Sequence, residues 1–256
     1  MKKTIILILV LLITLMIMTL GSSAASGNRY SWYCKRNSLH LPPEIDSQMQ
    51  FIENYNCHYV DKNAEKENKK IVYLTFDAGY ENGNVEKILD ILKEENVKGS
   101  FFILKNMLTK HSDLVCRMVD EGHLVGNHTS MHKDISKLTF VGLKNELETL
   151  EAKFKEKVGK DMPKYFRPPE GSFSEESLKK LDEMGYKTIF WSFAYADWDN
   201  NHQMTPEKAK EKILSNIHNG AVILLHPTSN TNVTILSSVI RELKSQGYSF
   251  ETVANL

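Results

Sequence analysis

From Ile71 onward, strand and helix signals alternate without a break, and this pattern limits the possible folds more than any other feature. Apolar, β-branched runs predict strands at Ile71–Phe76, Gly99–Leu104, His123–Asn127, Lys164–Arg167, Lys187–Phe193, Ala221–His226 and Tyr248–Glu251. The stretches between them predict helices at Asn84–Glu95, Ser112–Glu121, Thr139–Val158, Ser174–Met184, Thr205–His218 and Asn232–Gln246. Asn84, Ser112 and Ser174 offer side-chain acceptors for helix N-termini. Thr205 followed by Pro206 is a cap followed by proline at the first helical position. Gly99, Gly122, Gly159, Gly185, Gly220 and Gly247 fall just past helix ends, where a left-handed stop is favoured. Strict alternation of this kind means an α/β fold with a parallel sheet and helices outside. Seven strands suit a distorted barrel or an open doubly wound sheet, and periodicity does not choose between them. No G-x-G-x-x-G or P-loop follows the first strand, so a nucleotide site has no support.

The chain has 256 residues, enough for one barrel-sized domain or two small ones. Lys+Arg and Asp+Glu are both 32, so no basic excess points to a nucleic-acid partner. At the N-terminus, Lys2 and Lys3 precede a 16-residue apolar run, Ile5–Leu20, and then the small residues GSSAA. A cleaved signal peptide and a membrane anchor both fit residues 1–25, and either takes the rest of the chain out of the cytoplasm. Residues 26–69 read as a polar extension broken by Pro42-Pro43. It holds a short helix at Glu44–Asn54 and a charged loop at Asp61–Lys70. Residues 70–256 form the main domain. In an exported protein, Cys34 and Cys57, 23 positions apart, are expected to form a disulfide worth roughly 3 kcal/mol on the loop-entropy model. Cys116 reads as a core thiol.

The chemistry gathers just past the predicted strands. Asp77 ends Ile71–Phe76, and Ala78-Gly79 turns the chain at once. A carboxylate at the C-terminal end of a parallel barrel strand is where such folds place catalytic groups. His128 and His132 follow His123–Asn127. Their i, i+4 spacing places two imidazoles on one face of a helical turn, a zinc-ligand arrangement. Arg167 precedes Pro168-Pro169, which fix a rigid extended path, and beside a carboxylate it would lower that group's pKa. Trp198, between Asp197 and Asp199, fits either a wall for a sugar ring or a core position. His226 closes the run AVILL, where a core histidine or a proton donor at a polar mouth both fit. Together these parts suit amide or ester hydrolysis. Zinc would act as Lewis acid, Asp77 would take the proton of water, and His226, oriented by Asp197, would protonate the leaving amine. No serine sits in a nucleophile-elbow setting.

With these motifs in hand, Lys70–Leu256 resembles the polysaccharide deacetylases of NodB-homology type, carbohydrate esterase family 4. The motifs are Thr75-Phe76-Asp77, His128–His132, Arg167–Gly171, Asp197-Trp198 and Leu224–His226, in order. TFDAGYENG, EGHLVGNH, FRPPEG, FWSFAYADW and the N-terminal Trp32–Arg36 piece with Pro42-Pro43 are similar to the δ-lactam-forming N-acetylmuramic acid deacetylases of spore formers, the PdaA type. The resemblance implies a distorted (β/α)7 barrel with an N-terminal extension. It implies Asp77 as base, His226 as acid tuned by Asp197, and Arg167 orienting Asp77. It also implies a divalent metal, zinc, on His128 and His132, and substrate contacts at Tyr80, Glu81, Asn82, Pro168 and Trp198. The implied substrate is the peptidoglycan glycan strand of spore cortex, after an amidase has stripped the stem peptide, in the space between forespore and mother cell. Two alternatives remain: deacetylation of N-acetylglucosamine in peptidoglycan or chitin-like chains, and a non-catalytic glycan-binding barrel. One departure bears on the metal. The family usually has a second Asp where this chain has Ala78, although the PdaA-type group also tends to lack it. Two protein ligands predict weak metal binding.

Overall fold

The computed structural model describes residues 27–35, 37 and 39–256, so the expected signal or anchor at residues 1–25 lies outside the described residues. All seven expected strands form, most of them trimmed at the ends: Ile71–Ala78, Ser100–Ile103, Leu124–Asn127, Tyr165–Phe166, Lys187–Ile189, Ala221–Leu225 and Ser249–Glu251. Every ladder among them is parallel. The sheet runs from Ala221–Leu225 through Ile71–Ala78, Ser100–Ile103, Leu124–Asn127 and Tyr165–Phe166 to Lys187–Ile189, with Ser249–Glu251 also on Ile71–Ala78. Past Ile189 the chain curls back. Phe193 bridges Ile223, and its carbonyl accepts the Leu224 N–H at 2.8 Å. The curled sheet with helices outside is the distorted barrel, not an open doubly wound sheet.

The two-residue period of a strand explains how the barrel fills. Val72, Leu74, Phe76 and Ala78 face outward into the layer shared with the helices, together with Phe101, Ile103, Val125, Ile223 and Leu225. Tyr73, Phe102, Ile189 and Val222 pack together inside the barrel. The inner row therefore ends at Asp77, Leu104, His128, Arg167, Trp191 and His226. Gly126 belongs to this row because a Cβ there would lie 2.9 Å from both the Phe102 ring and the Tyr165 carbonyl. Substitution at this position would push the inner ring aside.

The extension is built into the barrel. Cys57–His58 adds a further parallel strand beside Lys187–Ile189. Tyr30–Ser31 pairs antiparallel with Ser172–Phe173. Trp32 is buried and stacks on Phe190 at 4.4 Å, and its indole N–H donates to the Trp191 carbonyl at 2.9 Å. Glu44–Asn54, expected as one helix, is a two-residue strand, Glu44–Ile45, followed by a 3-10 turn at Ser47–Asn54 capped by Asp46. The expected loop Asp61–Lys70 contains a short helix, Lys62–Lys66, whose first amides bond Asp61. A charged composition hid this capped turn. Ser174 forms a capping box with Ser177, but Asn84 makes no cap bond. Asn96, at φ 48°, stops the Val85–Glu94 helix in place of Gly99.

No disulfide joins Cys34 to Cys57. Cys34 pairs with Ile45 in a small hairpin, and its thiol donates to the Ser192 carbonyl at 3.3 Å. Cys57 lies in the sheet, where burial pushes its thiol up to about 12 and leaves little thiolate to oxidise. Cys116 is half-buried on the Ser112–Asp120 helix, not a core residue. Thiol titration of the unreduced, denatured chain is expected to count all three cysteines. A count of one would reinstate the bridge.

Candidate active site

The inner-row residues surround a cavity of about 650 Å³ at the C-terminal mouth of the barrel. Asp77, His128, His132, His226, Tyr80 and Trp198 line it together with Leu104, Glu170, Trp191 and Tyr195. Six of the candidate residues, from four separate stretches of the sequence, therefore line one cavity. Arg167 lies behind the wall, fully buried. Glu81, Asn82 and Pro168, expected as substrate contacts, do not line the cavity. Glu81 accepts the Val85 N–H at 2.9 Å and caps that helix, and Asn82 donates to the Thr228 carbonyl at 2.9 Å. Pro168 is buried.

The Arg167 guanidinium is held on every side. Nη1 donates to Asp77 Oδ1 at 2.9 Å, Nε to the Ile189 carbonyl at 3.0 Å and Nη2 to the Phe190 carbonyl at 3.2 Å. It lies 4.3 Å over the Phe102 ring. Burial pulls the Arg167 pKa down and Asp77 opposes that pull, so the pair is mutually dependent. Burial pushes the Asp77 carboxyl up, and the positive field of His128, Arg167 and His226 outweighs this and holds it below its ordinary value. Above about pH 4 His128 is neutral, so Arg167 is the permanent part of that field.

His128 and His132 do not sit on a helix. The chain from His128 to Asp134 is an irregular turn with Thr129 at φ 69° and His132 at φ 56°. The turn still brings the two rings to 5.1 Å, nearly perpendicular. Burial lowers the His128 pKa to about 4, which leaves a neutral imidazole. Its Nδ1 faces the Arg167 carbonyl at 2.8 Å and must donate there, so the proton is on Nδ1. Nε2 then presents a lone pair 3.6 Å from Asp77 Oδ2. Two acceptors facing each other in a buried site call for a cation, and the two imidazoles suit a divalent metal. Among the described residues no group of three such ligands gathers, and Ala78 points into the outer apolar layer.

Across the cavity His226 Nδ1 donates to Asp197 Oδ1 at 2.7 Å, which turns Nε2 toward the mouth. Burial pulls the His226 pKa down, but the hydrogen bond and charge of Asp197, with Asp77 adding, raise it above its ordinary value. Asp197 Oδ2 accepts the His226 backbone N–H at 2.8 Å and the Asn232 amide at 2.6 Å. The exposed Trp198 stands 6.3 Å from the His226 ring. Sequence reasoning gave Asn232 no role. An Asn in the first turn of a helix reads as a cap, and only the three-dimensional contact sets it apart.

One carboxylate held by a buried arginine thus shares a cavity with one raised imidazole, and a metal-compatible histidine pair lies beside the carboxylate. The sequence matches the polysaccharide deacetylase family over residues 64–189. It is 38% identical over 236 residues to the peptidoglycan-N-acetylmuramic acid deacetylase PdaA of Bacillus subtilis, spanning 92% of this chain and 88% of that one. It is 34% identical over 193 residues to a peptidoglycan-N-acetylglucosamine deacetylase of Bacillus cereus, spanning 74% of this chain and 69% of that one. The structure of Bacillus subtilis PdaA, a family 4 carbohydrate esterase, superposes with a TM-score of 0.85 at 38% identity, covering 90% of this chain and 97% of that one. The chain belongs to the polysaccharide deacetylases of NodB-homology type, carbohydrate esterase family 4. It is an N-deacetylase, an amide hydrolase of a generally metal-dependent family.

Proposed function

We propose that this chain deacetylates peptidoglycan outside the cytoplasm, and that its substrate is N-acetylmuramic acid already stripped of its stem peptide. The observation that carries the reading is the Asp77–Arg167 pair facing His226, together with similarity to PdaA across nearly the whole chain. Water and the acetamide become acetate and a free amine. Asp77, kept ionised by Arg167, takes the proton of the attacking water. His226, kept charged by Asp197, gives its Nε2 proton to the departing amine. His128 and His132 would hold a divalent ion, zinc by the character of the ligands, and such an ion supplies polarisation of the acetamide carbonyl. Trp198 and Tyr80, both exposed on the rim, offer flat faces to the sugar rings. The freed amine lies beside the lactyl carboxyl of the same sugar, the geometry from which a muramic δ-lactam closes, and this product would place the chain in spore-cortex synthesis.

A second reading has its own support. Glu170 stands at the cavity with φ 56°, in the left-handed region that costs a non-glycine residue energy, and among the described residues no Lys or Arg lines the cavity beside it. A rim carboxylate disfavours the free lactyl carboxylate and tolerates neutral N-acetylglucosamine. Mass spectrometry of peptide-stripped glycan incubated with the protein and added zinc separates the two. Acetyl loss from muramic acid supports the first reading and loss from glucosamine the second. No loss from either overturns both. Glu170→Gln is expected to shift the ratio a few-fold toward the carboxylate-bearing sugar. An unchanged ratio would remove Glu170 from the specificity argument.

A further inference from the structure

We propose that Asn232 is a positioning residue for the reaction, setting His226 through Asp197. This rests on the reading of His226 as proton donor.

Asn232 is fully buried in the first turn of the Asn230–Ser245 helix and does not line the cavity. It is not the cap of that helix. Ser229 is, and its hydroxyl accepts the Asn232 N–H at 3.1 Å. The Asn232 side chain is turned the other way, and all of it is used. Nδ2 donates to Asp197 Oδ2 at 2.6 Å and to the His226 carbonyl at 3.0 Å, and Oδ1 accepts the Tyr195 hydroxyl. A flipped amide would aim its oxygen at two acceptors and its NH2 at a hydroxyl, so only one orientation satisfies all three partners.

The value of this grip follows from the freedom of an Asp side chain. Its terminal torsion is broad and nearly two-fold, so hydrogen bonds, not rotamer preference, decide where the two oxygens point. Asp197 leaves the sheet on an irregular loop and no Lys or Arg pairs with it among the described residues. Asn232 and the His226 backbone N–H hold Oδ2, which leaves Oδ1 against the imidazole. Because the same amide also holds the His226 carbonyl, both ends of the Asp197–His226 pair are fixed to one helix. Tyr195 fixes the amide in turn, so the chain Tyr195–Asn232–Asp197–His226 runs from the cavity wall through the core and back to the cavity.

The test is Asn232→Leu in the full-length chain, assayed with zinc on N-acetylated glycan oligomers and examined by proton NMR. The expected result is a kcat lower by about 10- to 100-fold, the range for groups that orient a site ligand, with KM nearly unchanged. The low-field resonance of the His226 Nδ1 proton, assigned by its loss in His226→Gln, is expected to shift or broaden. Tyr195→Phe keeps the packing and removes only the hydroxyl. It is expected to do the same more weakly, about fivefold in kcat, one neutral hydrogen bond's worth. A folded Asn232→Leu chain with unchanged kcat and an unchanged resonance overturns the proposal. If that variant does not fold, unchanged values in Tyr195→Phe overturn it. A wild-type chain inactive on every glycan defeats the functional reading instead, and the resonance still decides the positioning claim.

Discussion

Asp77→Asn is expected to lower turnover by about three orders of magnitude while glycan binding persists. General-base catalysis contributes about 10²–10⁴-fold, and Asp77 is the carboxylate of the cavity that faces both His128 and His226. The substitution is nearly isosteric. An Asn oxygen can still accept from Arg167 Nη1, now at 2.9 Å from Oδ1, so the buried guanidinium keeps its partner and the barrel keeps its shape. What the amide cannot do is take a proton. Trp198 and Tyr80 are untouched, so the glycan retains its apolar faces. Turnover and glycan affinity measured on one preparation make the test. Equal turnover in variant and wild type would strip Asp77 of its role as base, and a parallel loss of binding would mean that the site had collapsed.

Much of this is legible in the sequence, because the inner row obeys a two-residue period. Asp77 and His226 each close an apolar run, and His128 and Arg167 each stand at the end of an expected strand. Parallel strands in one barrel must open their C-terminal ends onto one mouth. Local geometry was less legible. His128 and His132 have a helical spacing, yet two left-handed residues, Thr129 and His132, build an irregular turn that achieves the same convergence. Spacing alone cannot register a positive φ at a non-glycine residue. Glu81 has the chemistry of a substrate contact, but the Val85 amide is nearer and takes it as a cap. The Cys34–Cys57 pairing failed because sequence separation says nothing of direction. One thiol turns to the Ser192 carbonyl and the other is buried in the sheet. Asn232 was illegible for a related reason, since its partners Tyr195, Asp197 and His226 lie on other segments.

Arg167→Met is expected to be the most destabilising single change at the site. The guanidinium has no exposure and the Asp77 side chain only 10%, so the variant leaves a carboxylate buried without its permanent cation. Breaking such a pair costs about 3–5 kcal/mol, which in a domain of this size lowers the melting temperature on the order of 10 °C. The sign of the pH dependence follows from Asp77. Its folded pKa is depressed, so it contributes stability that is fully present above its unfolded value, about 3.9, and is lost as pH falls through the folded value. The gap between wild type and variant should therefore be widest near neutrality and close in acid, where Asp77 is protonated in both. Activity adds an independent sign. With Arg167 gone, burial dominates Asp77 and raises its pKa, so the acid limb of kcat/KM moves to higher pH. The His128 tautomer should not change, because Nδ1 bonds the backbone carbonyl of residue 167 and not its side chain. Melting curves and rate profiles across the acid range test both signs. A variant that melts with wild type, or whose acid limb stays in place, would show that Arg167 does not govern the charge of Asp77.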